Sequence, residues 1–229
     1  MAERRALILA NGDLGDPNLL RRRLQPLAFD LVIAADGGTR HAAAVGRTVD
    51  LVVGDFDSLP ADERARWSER GATFAHHPAE KDETDLELAL LEAARRGATE
   101  MVVLGAVGGR LDMTLANVGL LLHPSLQGLA IHLWNGEETA HLLLPPGGEI
   151  PGEIGDRVSL IPLGGEATGI TTYGLTFPLS REALPVGPAR GISNRVASSH
   201  SRVELATGAL LIVHAPRPEV GGQEVPYVP

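Results

Sequence analysis

The chain has 229 residues, a formal net charge of −9 and 44% hydrophobic residues, which suffices for one large domain or two smaller ones. The negative charge argues against a general nucleic-acid surface, and no apolar run approaches the roughly 20 residues that a membrane-spanning helix needs. The absence of cysteine excludes disulfides, thiolate metal sites and cysteine nucleophiles, and it fits a reducing cytoplasm. We therefore expect a cytoplasmic protein with neither nucleic-acid nor membrane partners.

Short apolar runs alternate with helical patterns in the first part of the chain. Several runs are apolar throughout, which is typical of parallel strands covered on both faces. They lie at residues 6–10, 30–35, 50–53, 73–75, 100–104 and 130–134. The alternation predicts an α/β domain with a mostly parallel sheet.

Two of the helical patterns carry clear boundary or face signals. One helix is predicted to begin at Thr84, because Thr84-Asp85-Leu86-Glu87 has the form of a capping box, and to end before Gly97. A second is predicted over residues 111–122, with one apolar face made of Leu111, Leu115, Val118 and Leu122.

Helical periodicity stops after about Gly136, where the chain changes character. Pro145-Pro146-Gly147-Gly148 predicts a linker or tight turn. The strand candidates that follow are separated by glycine and predict a small antiparallel β domain, with strands at residues 157–163, 167–173, 195–199, 201–206 and 209–214. We therefore predict domains at residues 1–144 and 145–217, followed by a Pro/Gly-rich tail at 218–229.

Acidic and glycine-rich stretches follow successive predicted strands. Because the carboxyl ends of parallel strands meet at one edge of a sheet, and ligands bind along that edge, we expect these stretches to converge. They are Asn11-Gly12-Asp13, Asp36-Gly37-Gly38, Gly54-Asp55-Phe56-Asp57-Ser58, Asp82-Glu83-Thr84-Asp85 and the segment 105–112.

Asp55 and Asp57 are candidate metal ligands. In an extended segment, residues two apart project the same way, so both carboxylates would reach one cation. The alternative is that these aspartates only make a turn. Clustering with Asp36 and Asp85 favours the metal, because carboxylates that crowd together repel one another unless a cation binds them, and oxygen ligands suit Mg²⁺. Asp85 has an alternative too, as an acidic residue complementing a helix dipole.

Gly108-Gly109-Arg110 precedes a predicted helix and offers backbone N–H groups and a guanidinium to a polyphosphate. A simple turn is the alternative. The chain contains neither a P-loop nor a dinucleotide-binding fingerprint, and no Gly-x-Ser-x-Gly of a serine hydrolase. His76 and His77 are interpreted as loop residues, although histidine near a site could titrate.

The ordered set of motifs resembles the thiamine pyrophosphokinase (thiamine diphosphokinase) family. The resemblance covers residues 6–213 and includes Ala35-Asp36-Gly37-Gly38, Gly54–Ser58, Lys81–Glu87, Gly108–Asp112 with Leu115-Ala116-Asn117, Thr172–Leu179 and Gly191–Asn194. It implies an N-terminal α/β catalytic domain that binds ATP and a C-terminal β-sandwich that binds thiamine. It also implies a homodimer with thiamine at the interface, and Mg²⁺-dependent transfer of the ATP pyrophosphoryl group to the thiamine hydroxyl, releasing AMP.

The resemblance also implies roles for individual residues. The expected metal ligands are Asp55, Asp57 and Asp85. The expected catalytic residues are Asp36, Asp57, Asp85 and Arg110. The expected ATP-binding residues are Asp36, Gly37, Thr84, Gly108, Gly109, Arg110 and Asp112. The expected thiamine-binding residues are Phe177, Ser193 and Asn194.

Three positions depart from the family pattern. Phe177 replaces a larger aromatic residue, Met113 stands where histidine is frequent, and Arg195 stands where bacterial relatives often carry an acid. Two other functions remain open at this point: pyrophosphoryl transfer to another hydroxymethyl heterocycle such as a pterin, and a catalytically silent thiamine or nucleotide sensor, for which Met113 is a hint.

Overall fold

The computed structural model describes residues 3–57 and 59–217. The chain divides into two compact units, Met1–Leu142 and Leu143–Pro229, called here unit 1 and unit 2. Ser58 and the predicted tail at 218–229 lie outside the described residues. No helix in the described part of the chain is long and apolar enough to cross a membrane.

Unit 1 is an α/β domain, as the alternation predicts. Its parallel strands are β1 (Arg5–Leu9), β2 (Leu31–Ala35), β3 (Leu51–Gly54), β4 (Thr73–His76), β5 (Glu100–Leu104) and β6 (Ala130–Asn135), and β7 (Glu138–Leu143) runs antiparallel to β6. Its helices are α1 (Pro17–Leu24), α2 (Thr39–Ala44), α3 (Ala61–Glu69), α4 (Asp85–Arg95) and α5 (Leu111–Gly119). The described strands and helices thus confirm a mostly parallel sheet.

The order of the strands locates a binding crevice. From β6 the order runs β6-β5-β1-β2-β3-β4, so the chain moves outward from β1 to β4 and then returns to the other side of β1 as β5. The loops after β1 and β5 therefore leave the sheet in opposite directions. Ligands of open α/β sheets bind in the crevice that such a reversal opens.

Helix α4 follows its sequence signals closely. The Thr84 hydroxyl accepts a hydrogen bond from the Glu87 N–H at 3.2 Å, as an N-cap does, and Gly97 has a positive φ of 85° just beyond the helix. One face is buried, through Leu86, Ala89, Leu90 and Ala93. This packing fixes the first turn of α4, and with it Asp85, at the edge of the sheet.

Helix α5 departs from the prediction. It ends at Gly119 and continues only as a 3-10 turn, so residues 111–122 do not form one helix. Leu111 and Leu115 are 73% and 65% exposed, whereas Asn117 is buried. The predicted apolar face was therefore wrong as a core face, because the helix turns a polar side chain inward toward the loop after β5.

Unit 2 contains two antiparallel sheets with a shared apolar core, which confirms the predicted sandwich. Its strands are β8 (Gly147–Ile150), β9 (Arg157–Pro162), β10 (Ala167–Tyr173), β11 (Glu182–Leu184), β12 (Asn194–Arg195), β13 (Ser201–Glu204) and β14 (Leu210–Ala215). Within the unit the strand orders are β12-β9-β14 and β11-β10-β13-β8. Val158, Leu160 and Ile212 from one sheet face Ile170 and Val203 from the other.

Two local predictions in unit 2 were only partly right. The predicted tight turn is confirmed at Pro145-Pro146, where the Gly147 N–H donates to the Leu144 carbonyl at 2.9 Å, but Gly147 and Gly148 already begin β8, which pairs with β13. Glycine serves here because a Cβ on Gly147 would lie 2.0 Å from the Val203 carbonyl oxygen. The predicted strand at 195–199 shrinks to two residues, Asn194–Arg195.

Candidate active site

A cavity of about 760 Å³ opens at the reversal point of the unit 1 sheet. It is walled by the loops after β1 and β5, the start of α2 and the start of α4. Of the predicted site residues, Asp85, Gly108, Gly109 and Arg110 line it, together with Asn11, Gly12, Asp13, Arg40, His41, Met113 and Asn117. The predicted convergence at the carboxyl edge is confirmed for the loops after β1 and β5 and for the start of α4.

Close backbone contacts bring these loops together. The Gly12 N–H donates to the Gly105 carbonyl at 2.9 Å, and a Cβ on Gly12 would lie 2.3 Å from the same oxygen. A Cβ on Gly38 would lie 2.0 Å from the Leu9 carbonyl oxygen. Glycine at both positions therefore allows the β1, β2 and β5 loops to approach more closely than side chains would permit.

Asp36 and Asp85 meet across Gly54, at the end of β3. A Cβ placed on Gly54 would lie 3.0 Å from Asp36 Cβ and 3.3 Å from Asp85 Oδ1. Asp36 is 4% exposed and is not among the residues that line the cavity, whereas Asp85 lines it. Asp85 also accepts an ion pair from Lys81, with Nζ 2.8 Å from Oδ1.

Asp55 and Asp57 stand in a turn, so the premise of an extended segment was wrong. Strand β3 ends at Gly54, and Phe56 has a φ of 64°. Asp55 Oδ1 accepts a hydrogen bond from the Asp57 N–H at 3.0 Å. The buried ring of Phe56 packs edge-on against Phe74 at 5.5 Å, which anchors the turn.

The metal assignment to Asp55, Asp57 and Asp85 stays a prediction. Among the described residues, no group of three or more His, Cys, Asp or Glu side chains is placed to hold a metal ion. Magnesium usually takes one or two carboxylates and completes its shell with water and phosphate oxygens, so a smaller set of carboxylates fits it. The oxygen-only donor set is compatible with Mg²⁺.

The loop after β5 is held by side chains of α5. The Thr114 hydroxyl accepts from the Gly108 N–H at 3.1 Å, and Asn117 Nδ2 donates to the Ala106 carbonyl at 2.7 Å. The Gly108 N–H is therefore already used within the protein. The donors that this loop can offer to an anion are those beyond it, at Gly109 and Arg110.

Arg110 and Asp112 form an exposed ion pair at the start of α5. Arg110 Nη2 lies 2.5 Å from Asp112 Oδ2, and the side chains are 74% and 65% exposed. The hydrogen bond to Asp112 raises the pKa of Arg110, and the hydrogen bonds from Arg110 and the Met113 N–H lower the pKa of Asp112. Asp112 thus orients a guanidinium that keeps free donors for a ligand.

Two cavity residues, Arg40 and His41, were missed by sequence reasoning. Arg40 donates to the Asn11 carbonyl at 2.7 Å, and His41 Nε2 donates to the Gly12 carbonyl at 3.0 Å. Burial lowers the pKa of His41, which favours a neutral ring. Their position directly after Asp36-Gly37-Gly38 was the available signal. A Cβ on Gly37 would lie 2.7 Å from Asn11 Nδ2, and Thr84 caps α4; neither residue is among those that line the cavity.

The three residues predicted to bind thiamine lie together in unit 2. Asn194 is buried, and its amide bonds the backbone of Phe177 twice, accepting from N at 3.0 Å and donating to O at 2.7 Å. The Phe177 side chain is 66% exposed. The Ser193 N–H donates to Ser159 Oγ at 3.0 Å. Phe177 therefore projects from a backbone that Asn194 holds in place.

Backbone strain collects at the predicted sites. Within residues 3–57 and 59–217, four non-glycine residues have a positive φ: Asp36, Phe56, Arg181 and Ser193. All but Arg181 belong to the motifs singled out from the sequence. Left-handed backbone at such residues costs about 1–3 kcal/mol each and tends to persist at functional positions.

Comparison with known proteins identifies the chain. Residues 27–133 match the family model described as thiamin pyrophosphokinase, catalytic domain, and residues 149–212 match the thiamin pyrophosphokinase, vitamin B1 binding domain. A thiamine pyrophosphokinase of Bacillus subtilis (strain 168) is 30% identical over 188 residues, spanning 81% of this chain and 87% of the relative. The chain belongs to the thiamine pyrophosphokinase family.

Solved structures of thiamine pyrophosphokinases share the fold. That of the Bacillus subtilis enzyme superposes with a TM-score of 0.81 at 26% identity, covering 93% of this chain and all of the other (100%). The yeast thiamin pyrophosphokinase reaches a TM-score of 0.79 at only 16% identity, over 94% of this chain and 87% of the other, which supports the fold alone. The catalytic-domain match lies within unit 1 and the vitamin B1 binding match within unit 2.

Proposed function

We propose that the chain transfers the pyrophosphoryl group of ATP to the hydroxyl of thiamine, giving thiamine diphosphate and AMP. Membership of the thiamine pyrophosphokinase family favours thiamine over a pterin or another hydroxymethyl heterocycle. The observation that carries the proposal is the cavity at the sheet reversal, which both Asp85 and Arg110 line. Carboxylates for a metal and a guanidinium for phosphate are the groups that pyrophosphoryl transfer requires.

The proposed nucleotide site uses the loops around this cavity. Arg110, oriented by Asp112, binds the phosphates, and the N–H groups of Gly109 and Arg110 contribute donors. Gly37 and Thr84 contribute indirectly: Gly37 shapes the loop after β2, and Thr84 caps the start of α4. Asp36 adds a second carboxyl group near Gly54, on the same edge of the sheet as Asp85.

The proposed metal ligands are Asp55, Asp57 and Asp85. Bound Mg²⁺ supplies positive charge that neutralises the phosphate oxygens during transfer. Arg110 offsets charge on the transferring group from the other side. The proton of the thiamine hydroxyl passes to a carboxylate, for which Asp36, Asp85 and Asp112 are the candidates.

The proposed acceptor site uses unit 2, with the functional domains at residues 1–144 and 145–217. Phe177 stacks on a thiamine ring, Ser193 provides polar contact, and Asn194 acts through the backbone of Phe177. We further propose a homodimer in which thiamine binds between one chain's catalytic domain and its partner's β-sandwich. The exposed Leu111 and Leu115, beside Arg110, support a partner at this face. A cytoplasmic location fits the cysteine-free sequence.

Replacing Asp57 with Asn tests the metal and the reaction together. We expect AMP release from ATP, Mg²⁺ and thiamine to fall at least about 100-fold, because one charged metal ligand is lost. The matched control is Asp62→Asn, an exposed aspartate on α3 that should retain full activity. Near-normal turnover by Asp57→Asn would contradict the metal assignment.

The same assay distinguishes the rival functions. Turnover with a pterin alcohol but not with thiamine would support a different acceptor. Binding of thiamine and ATP to the wild type, without AMP release, would support a sensor. AMP release with thiamine as the acceptor, and none with the pterin alcohol, supports the proposal.

A further inference from the structure

Lys81 is an unusual cation in this chain. Of 20 lysine and arginine residues it is the only lysine. It lies in the loop before α4 and its side chain is only 12% exposed. Its ammonium forms an ion pair with Asp85, the carboxylate that lines the cavity.

The Lys81 ammonium lies against Asp85, which is one of the proposed metal ligands, and so places a positive charge at the proposed metal site. Lys81 Nζ lies 2.8 Å from Asp85 Oδ1, and Asp85 Oδ1 in turn lies beside Gly54 and Asp36. Asp36 Cβ and Asp85 Oδ1 both lie within 3.3 Å of the position that a Gly54 Cβ would take, and the ammonium supplies positive charge beside Asp85.

The use of lysine in an arginine-rich chain points in the same direction. An ammonium is a compact point charge on a flexible stem, whereas a guanidinium is a wide planar fork that forms fixed bidentate contacts. Lysine therefore suits a role in which the cation moves from one oxygen partner to another. A permanent structural ion pair would be served equally by arginine, which the chain uses everywhere else.

We propose that Lys81 is a stand-in cation that is replaced by the metal and then binds the polyphosphate of the nucleotide. This inference rests on the proposed function, because it requires a metal at Asp85. If Asp85 held the metal, the Lys81 ammonium, which lies 2.8 Å from Asp85 Oδ1, would be close to the phosphate oxygens that complete the metal's shell. Lys81 thereby exchanges an Asp85 oxygen for a phosphate oxygen.

The exchange predicts opposite effects on two affinities. Metal alone must displace the ammonium from Asp85, so removing the ammonium strengthens metal binding to the free protein. Metal with nucleotide gains a contact from Lys81, so removing it weakens binding of the metal–nucleotide complex. A lysine that only stabilised the fold would weaken both.

The test uses Mn²⁺, whose free concentration is measured by electron paramagnetic resonance, with the full chain. We expect Lys81→Met to bind Mn²⁺ alone about fivefold more tightly than wild type, and to bind Mn²⁺ with α,β-methylene-ATP about tenfold more weakly. Lys81→Gln, which keeps a polar group of similar length, should change both in the same directions. Thermal unfolding of each variant confirms that it is folded.

The outcomes separate this inference from the proposed function. Unchanged or weaker Mn²⁺ binding by both folded Lys81 variants overturns the stand-in role. Asp85→Asn provides the second arm. If it abolishes Mn²⁺ binding while the Lys81 variants do not strengthen it, the metal site stands and only the Lys81 inference fails. If Asp85→Asn leaves Mn²⁺ binding intact, the metal assignment itself is wrong.

Discussion

Asn194 illustrates how one side chain can act through a neighbour's backbone. Its amide faces the backbone N–H and carbonyl of Phe177, in the manner of an adjoining strand, and also accepts from the Arg195 N–H at 2.8 Å. Because the amide is buried and engaged, Asn194 is a positioning residue in the proposed thiamine site. The exposed ring of Phe177 is the group that would touch the ligand.

Replacing Asn194 with Ala separates positioning from contact. We expect a loss of about 1–3 kcal/mol in unit 2 stability, because the part-buried hydrogen bonds between Asn194 and the Phe177 backbone are lost. The KM for thiamine should rise while the KM for ATP stays unchanged. Both tryptophans, Trp67 and Trp134, lie in unit 1, so hydrogen exchange of unit 2 peptides is the suitable stability probe.

Phe177→Ala is the matched control for this experiment. Its ring is 66% exposed, so its removal should raise the KM for thiamine without the loss of stability. If Asn194→Ala instead destabilised unit 2 with an unchanged KM for thiamine, Asn194 would be structural only.

At the scale of secondary-structure elements, Asp156 ties together the ends of β9 and β14. The carboxylate accepts from the N–H groups of Glu153 and Arg217, each at 2.8 Å, and from His214 Nε2 at 2.7 Å. Burial opposes its ionisation, but these hydrogen bonds outweigh burial and hold the pKa of Asp156 below its usual value. The ionised form is therefore the one that stabilises the fold.

This lowered pKa predicts an acid-sensitive junction. The stabilisation is complete above the unfolded pKa of about 3.9 and is lost as the pH falls through the lower, folded pKa. Asp156→Asn should destabilise β9 and β14 by about 1–3 kcal/mol at pH 7. The difference in stability between wild type and variant should become smaller below about pH 4. Hydrogen exchange of β14 peptides measures this difference. Glu149→Gln, at an exposed position of β8, controls for the lost charge. A loss of stability in Asp156→Asn that did not depend on pH would contradict the prediction.

At the scale of the whole molecule, the proposed homodimer predicts complementation between two impaired variants, assayed with thiamine well below the raised KM of Phe177→Ala. Asp57→Asn lacks a metal ligand in unit 1, and Phe177→Ala lacks the thiamine contact in unit 2. If thiamine binds between one catalytic domain and the partner's β-sandwich, each mixed dimer regains one intact site of two. Unfolding and refolding the two variants together should then restore about a quarter of wild-type AMP release, since half of the dimers are mixed.

The control is a mixture of the two variants that were refolded separately, so that their subunits have not exchanged. Activity equal to the average of the separate variants after refolding together would contradict a shared site. Sedimentation of the wild type gives the oligomeric state independently.

Much of the fold followed from local patterns. Short apolar or β-branched runs, several of them apolar throughout, marked β1 to β6, and the cap at Thr84 marked α4, because these signals depend on residues near one another in the chain. Helix α3 was missed because it is polar and buries little besides Trp67. Strand β8 was missed because glycine and proline at its start resemble a turn.

The sequence by itself determined the class of both domains, the edge at which the β1, β5 and α4 segments converge, and the family motifs. Only the tertiary structure decided that Phe56 turns the chain between Asp55 and Asp57, that Lys81 pairs with Asp85 at the cavity, and that Asn194 holds Phe177. Hydrophobic periodicity and helix caps involve residues close together in the chain, so they can be recognised without knowing how the chain packs. Contacts between side chains depend on strand register and burial, which are settled only when the whole chain is packed.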